Sequence, residues 1–428
     1  RMLFFKQNKG QGLDMGTPFP SLTGSDQIRA GDLGGDGKSE LVVYSAKEKT
    51  LGVSRFDEGR LTFPQSIPTE AEASLIELMD LDGDLKPEVV FIAKTKKDRS
   101  SEYSLQAMKR AGNEWQPLKF GDKPSVPLDL KGTPERFLLA DVFGDERPEI
   151  IIFQGSKPPQ LFAVNVEGVT EIVTTGNPGT QALGAAGVSL CSLGGKKGLL
   201  VPQENFARHM VLSPQKRWEV ADQFNVTESN SKIIAGTVID LNGAGDPEIA
   251  LVDAGVRKLR VLRKVEGSYQ PWKEIDIGDF PLKSLKVVDL NGDRRDDLLL
   301  FGADKFAVLF AGGSSPALKE LAAFESQLDK VYPTDVVAGD LNGDGHVDLA
   351  ITDTRSHFVE IIQYRPTTGL QHALYFRIYE QKSFRNDDDT KDAEPREALI
   401  ADVTGDGLAD LILLAHDRLL VYPQDNGK

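Results

Sequence analysis

The stretch Asp402-Val403-Thr404-Gly405-Asp406-Gly407-Leu408-Ala409-Asp410, running on into Leu411-Ile412-Leu413-Leu414, decides how this chain folds. It is an acidic, glycine-rich bend that delivers the backbone into an apolar strand. The same bend begins at Asp32, Asp80, Asp141, Asp240, Asp289 and Asp340, and a worn eighth copy begins at Cys191. The steps between first positions are 48, 61, 50, 49, 49, 51 and 62 residues. A period near 50 is the mark of a repeat architecture, in which each unit buries its apolar face against the next.

One unit shows what is repeated. Val287-Val288-Asp289 ends a short apolar strand, and Leu290 to Asp296 make the bend. Asp297-Leu298-Leu299-Leu300-Phe301 is a second strand, and Phe306 to Phe310 a third after the turn Gly302-Ala303-Asp304-Lys305. A less regular fourth strand follows, and the same order recurs at Ala338 to Tyr364 and Ala401 to Tyr422. Four short antiparallel strands per unit make one blade of a β-propeller. Strands that are apolar throughout fit blades covered on both faces.

The expected fold is therefore all-β: an eight-bladed β-propeller of four-stranded antiparallel blades, one domain over residues 1–428. Seven blades result if the Cys191 unit is squeezed out. Ala317 to Leu328 comes nearest to a helical pattern. The ends echo each other, Arg1 to Gly10 against Arg418 to Gly427, and both read as a third strand plus its turn. The N-terminal segment can then supply the last blade's missing strand and close the ring, removing exposed sheet edges.

Composition sets outer bounds. Mean hydropathy is −0.28 and 40% of residues are hydrophobic, which supports a soluble protein with an ample core. A net charge of −15 argues against a nucleic-acid partner, which needs a basic stripe. Much of the acidic excess sits in the repeated bends. A single cysteine rules out an internal disulfide framework, and no apolar run is long enough to span a membrane.

The bends carry the chemistry. Alternate side chains of a tight loop point inward, so acids at positions 1, 3 and 5 converge, and glycine at position 4 or 6 lets the backbone curl. Three copies are complete: Asp80/Asp82/Asp84/Glu88, Asp289/Asn291/Asp293/Asp297 and Asp340/Asn342/Asp344/Asp348. In Asp402/Thr404/Asp406/Asp410 a hydroxyl takes position 3. Loops Asp32/Asp36/Glu40 and Asp141/Asp145/Glu149 lose position 3 to Gly34 and Phe143. Loop Asp240/Asn242/Glu248 loses position 5 to Ala244, with Asp246 close by. Two roles suit such acids: capping a turn, or wrapping six to eight oxygens around calcium, a hard cation tolerant of geometry. Magnesium resists all-protein cages.

These bends resemble the FG-GAP or VCBS repeats of integrin α-subunit heads and of many secreted bacterial proteins, and the resemblance covers essentially the whole chain. It implies that each loop joins the first and second strands of a blade. It also implies that side chains at positions 1, 3, 5 and 9, with the carbonyl at 7, bind Ca2+ in a structural role. An extracellular, cell-surface or periplasmic setting, where calcium is plentiful, is the expected compartment.

Catalytic motifs are absent. His209, His346, His357, His372 and His416 form no metal-binding pair, and no nucleophile elbow or nucleotide loop occurs. Trp115, Trp218 and Trp272 fall at equivalent repeat places and read as packing residues. Arg257, Lys258, Arg260, Arg263 and Lys264 read as a solvated outer edge. The long steps gain length at Lys94–Glu102, Gly121–Glu135 and Ser383–Glu397, connections expected on the face opposite the acid loops. Insertions gathered on one face suggest a binding surface. The leading expectation is a non-catalytic module that binds a protein or glycan there. Two alternatives stand beside it: a polysaccharide lyase-like enzyme, for which His357, Tyr364 and Arg385 are candidates, and a structural subunit of a larger assembly.

Overall fold

In the computed structural model the residues described are 2–8, 12–13, 15–97, 100–112, 114–142, 147–154, 157–172, 187–213, 217–278, 282–291, 293–302, 305–312, 322–325, 334–365, 368–378, 394–416 and 418–424. Eight antiparallel sheets follow one another along the chain. Blade 1 comprises Ser25–Gly31, Glu40–Ser45, Thr50–Ser54 and Gln65–Ser66. Blade 2 comprises Glu72–Met79, Glu88–Lys97, Ser100–Ala111 and Glu114–Pro117. Blades 3 to 7 open with first strands Arg136–Ala140, Ser189–Leu193, Ile233–Ile239, Leu282–Val288 and Asp335–Gly339. Blade 8 contains Glu397–Ala401, Asp410–Ala415 and Arg418–Tyr422 from the end of the chain, completed by Met2–Phe4 and Thr17–Phe19 from its beginning.

The second strand is the keel of each blade. Glu40–Ser45, Glu149–Gln154, Glu248–Asp253, Asp348–Asp353 and Asp410–Ala415 are buried at every residue. Successive side chains point to opposite faces of a strand, so each keel serves two neighbours. Val89 and Phe91 pack with Val42 and Tyr44 of blade 1, whereas Val90 and Ile92 pack with Ile150 and Ile152 of blade 3. Among the described residues eight such apolar clusters occur, one for each junction between adjacent blades. The eighth joins Met2, Val403, Ile412 and Val421 of blade 8 to Ile28, Leu41 and Val43 of blade 1, so the ring is closed.

Closure differs from the expectation in its geometry. Met2–Phe4 is the fourth strand of blade 8, but it runs parallel to Arg418–Tyr422, with Met2 opposite Leu419. Thr17–Phe19 then returns antiparallel as a fifth strand. The N-terminal segment echoed a third strand in sequence because both are short, apolar and flanked on two sides; its place is the fourth.

The expected count of eight blades holds, because the Cys191 unit is a full blade and not squeezed out. Other expectations are corrected. Cys191 lies inside the first strand, not at the start of a bend, and Gly194-Gly195 at φ 59° and 74° make a two-residue turn in place of an acid loop. Within the stretch nearest to helical, Ala322–Glu325 is the fourth strand of blade 6. The Lys94–Glu102 insertion is an extension of the sheet: Thr95, Lys96 and Lys97 pair with Glu102, Ser101 and Ser100. Part of Gly121–Glu135 is also strand, since Ser125–Leu128 pairs with Tyr103–Gln106 beyond the end of Glu114–Pro117. Of Ser383–Glu397, residues 383–393 lie outside the described residues. Among the described residues no helix is long and apolar enough to cross a membrane.

Candidate metal centre

Every acid bend joins the first to the second strand of its blade, and seven of them share one hydrogen-bond scheme. The ninth-position carboxylate opens the buried second strand and is 4% exposed or less in all seven copies. One of its oxygens accepts the backbone N–H of position 2: Leu33 to Glu40 (2.8 Å), Leu81 to Glu88 (2.7 Å), Val142 to Glu149 (2.9 Å) and Leu241 to Glu248 (3.0 Å). Leu290 donates likewise to Asp297 (3.0 Å), Leu341 to Asp348 (3.1 Å) and Val403 to Asp410 (2.9 Å). The position 2 side chain faces the core, so the loop's start is pinned from below while its acids rise above the sheet.

The first aspartate caps the curl. Asp340 accepts N–H bonds from Gly343 (2.6 Å) and Gly345 (2.9 Å), and Asp402 from Gly405 (2.6 Å) and Gly407 (2.8 Å). Asp80 does the same with Gly83 (2.8 Å) and Leu85 (2.9 Å), Asp32 with Gly35 and Gly37, Asp240 with Ala244 and Gly245, and Asp289 with Asp293 and Arg294. Position 6 stands at positive φ, 83° at Gly345 and 85° at Gly407. The fifth-position acid receives the N–H of position 7, as Asp84 does from Lys86, Asp293 from Arg295, Asp344 from His346 and Asp406 from Leu408. At position 3, Asn342 bonds Asp344 N and Asp348, Asn242 bonds Glu248, and Thr404 approaches Asp402 at 3.5 Å. Asn291 accepts from Asp293 N at 2.9 Å. Asp145 lies outside the described residues.

These bonds account for turn capping and leave negative charge over. Burial, reinforced by Asp82 and Asp80, pushes the Glu88 carboxyl up to about 7. Burial and the neighbouring loop acids push Asp348 up to about 7 and Asp297 to about 6, and Asp410 rises to about 6 in the same way. Glu248 is raised too, by burial before all else. Loops 2, 5, 6, 7 and 8 thus each hold a buried carboxylate short of positive charge.

Oxygens of Asp80, Asp82 and Glu88 lie within 4.8 Å of one another. Two ligands of one calcium at 2.3–2.6 Å stand no more than about 5 Å apart, so this donor set fits that ion. A lysine competes for it: Lys109 Nζ bonds Asp82 and stands 2.8 Å from Asp84.

Cations from the following blade visit the loops as well, and sequence reasoning missed them. Lys86, at position 7 of its own loop, lies over Gly35; Lys38 lies over Gly405 and Arg295 over Gly243. Lys197 pairs with Asp141, and Arg110 with Glu40. The signal was present as a basic residue recurring at position 7, but its partner is one blade away and no local pattern exposes it.

Other sequence candidates fall elsewhere. Trp218 is buried between blades 3 and 4, Trp115 packs beside the blade 1–2 core and Trp272 beside the blade 5–6 core. Burial pushes the Cys191 thiol up to about 12, away from nucleophile behaviour. Arg260 is not at a solvated edge: it is buried and bonded to Asp253 (2.9 Å), Glu228 (2.9 Å) and Glu274 (2.5 Å). His357 and Tyr364 lie at opposite ends of the third strand Phe358–Arg365, so these two enzyme candidates do not meet. Arg385 lies outside the described residues.

The fold and the loops define a class: an eight-bladed β-propeller with acidic first-to-second-strand bends on one face. No family model matches the chain, and no curated protein matches it. Similar solved structures include BBS1N in complex with ARL6DN, at 10% identity and TM-score 0.44 over 82% of this chain and 96% of that one. A Lactobacillus plantarum protein shares 10% identity at TM-score 0.44, over 82% of this chain and 94% of that one. A Bacteroides uniformis protein provisionally described as a 6-phosphogluconolactonase shares 14% at TM-score 0.42, over 81% and 93%. At these distances no function passes from them to this chain.

Proposed function

We propose that this chain is a non-catalytic, calcium-stabilised propeller of the FG-GAP/VCBS kind. It works outside the cytoplasm as a binding or scaffold module. One observation carries the metal half: a buried ninth-position carboxylate recurs in seven loops, beneath further acids whose charge the turn does not neutralise. Three or four acids in one bend repel each other, and a divalent ion converts that repulsion into cross-linking.

The binding half rests on the opposite face. There blade 2 alone, among the described residues, extends its second and third strands to Lys97 and Ser100, and Ser125–Leu128 widens this ledge to three strands. A protein or glycan partner is read by that ledge.

Thermal melting with calcium at about 1 mM, the upper end of the roughly 10⁻⁴–10⁻³ M affinity range of extracellular modules, against excess chelator tests the first half. The expected result is a higher midpoint with calcium, diminished in the D289N and D340N variants. Identical midpoints in both conditions, with no calcium bound by titration, would sink the reading. A glycan array and a pull-down, each repeated with the Thr95–Glu102 ledge shortened, test the second half.

A further inference from the structure

Loop 1 departs from its siblings in what stands at its centre. Its third position is Gly34, where loops 2, 5, 6 and 7 carry an acid or amide oxygen. Into the room so left comes Arg110, from the third strand of blade 2. Its Nη1 donates to Glu40 Oε1, while Leu33 N–H holds Glu40 Oε2 at 2.8 Å. A Cβ on Gly34 would stand 3.6 Å from Arg110 Nη1, 3.6 Å from Glu40 Oε1 and 3.9 Å from Asp32 Oδ1. The guanidinium therefore sits among positions 1, 3 and 9, the places whose oxygens surround the proposed ion elsewhere. Arg110 Nε is fixed separately by the Gly112 carbonyl at 3.0 Å. The two side chains are only 12% and 5% exposed.

The geometry points to Arg110 as the built-in counter-cation of loop 1, occupying the place that calcium takes in the complete loops. This copy is then metal-independent, and it ties blade 2 to blade 1 whatever the calcium concentration. A guanidinium keeps its charge at every working pH and its planar fork suits a carboxylate. A divalent ion entering loop 1 would meet that positive charge with one ligand position missing.

The adjacent residue makes the contrast. Lys109 points to the other face of the same strand and reaches Asp82 and Asp84 of loop 2. Its side chain is 31% exposed, and its ammonium is a hydrated point charge on a flexible stem, which an ion can displace.

The contrast rests on the calcium reading, whereas the Arg110–Glu40 contact does not, and the test separates the two. R110M, E40Q and R110M/E40Q are melted in EDTA, and calcium stoichiometry is measured for wild type, E40Q and D289N. Breaking a buried pair from one side is expected to lower the R110M midpoint by about 3–6 °C, with most of the loss recovered in the double variant. E40Q should leave the number of bound ions unchanged while D289N removes one. An unchanged R110M midpoint in EDTA, or the loss of an ion in E40Q, overturns the proposal. If neither wild type nor D289N binds calcium, the calcium reading has failed and the EDTA melts alone decide the role of Arg110.

Discussion

Glu88 and Asp348 show what a single residue does here. A carboxylic acid whose pKa rises on folding stabilises the folded state only while it keeps its proton. Without metal, that contribution is full below the unfolded value near pH 4 and is lost as pH climbs through about 7 for Glu88 and Asp348, and about 6 for Asp297 and Asp410. Chelated protein should therefore melt at a lower temperature at pH 8 than at pH 5, and saturating calcium should flatten that slope. Scanning calorimetry across this range reads both. Lys109 offers a second test at this scale. Substituting K109M removes the competitor from Asp82 and Asp84, and a partly exposed pair of this kind is worth roughly 1 kcal/mol. Calcium titration should show loop 2 tightening by roughly fivefold; an unchanged isotherm would separate Lys109 from the ion site.

At the scale of the element, the second strands decide stability and also explain what could be read in advance. Runs such as Leu298-Leu299-Leu300 and Leu411-Ile412-Leu413-Leu414 announced strands covered on both faces, and the structure buries them completely. The acid bends were legible because all their parts lie within nine residues. Arg110, Lys109 and Lys86 were not, because Lys109 meets its acids only when the third strand folds back beside the bend, and Arg110 and Lys86 reach a neighbouring blade that only the ring brings close. Backbone proximity was equally invisible in the chain. Gly198 of blade 4 has Met210 O only 2.1 Å from where a Cβ would stand. G198A should force the second and third strands of that blade apart, costing about 1–3 kcal/mol as overpacking does. The expected signature is a lower melting midpoint with faster amide exchange confined to Lys196–Leu212.

The whole molecule is held by what crosses its junctions. Around the axis Arg29 of blade 1 bonds Glu77 of blade 2 at 2.7 Å and Glu397 of blade 8 at 3.0 Å. Glu397 Oε2 also accepts Ile28 N–H at 2.7 Å, so one carboxylate bridges the junction where the ring closes. These groups, with Gln27, Glu135 and Arg136, line a cavity of about 630 Å³. Burial pushes Glu397 up despite its arginine, with Glu77 adding to the rise. Replacing Arg29 by Met leaves two half-buried acids facing each other. The midpoint of R29M should drop at pH 8 and recover as the pH is lowered and the raised Glu397 carboxyl takes up its proton; a loss independent of pH would mean that packing, not charge, is what Arg29 provides there.

The parallel pairing of Met2–Phe4 with Arg418–Tyr422 carries a kinetic meaning. A ribosome releases the first of these segments long before the second exists, so the seam is necessarily the last sheet to be finished. Until then Met2–Phe4 has a companion only in Thr17–Phe19, the hairpin partner already at hand. Joining the two strands pays the loop-closure entropy of the long segment between them. Refolding should accordingly end in a slow unimolecular phase, and a covalent cross-link between these two strands should hasten that phase without altering the earlier ones.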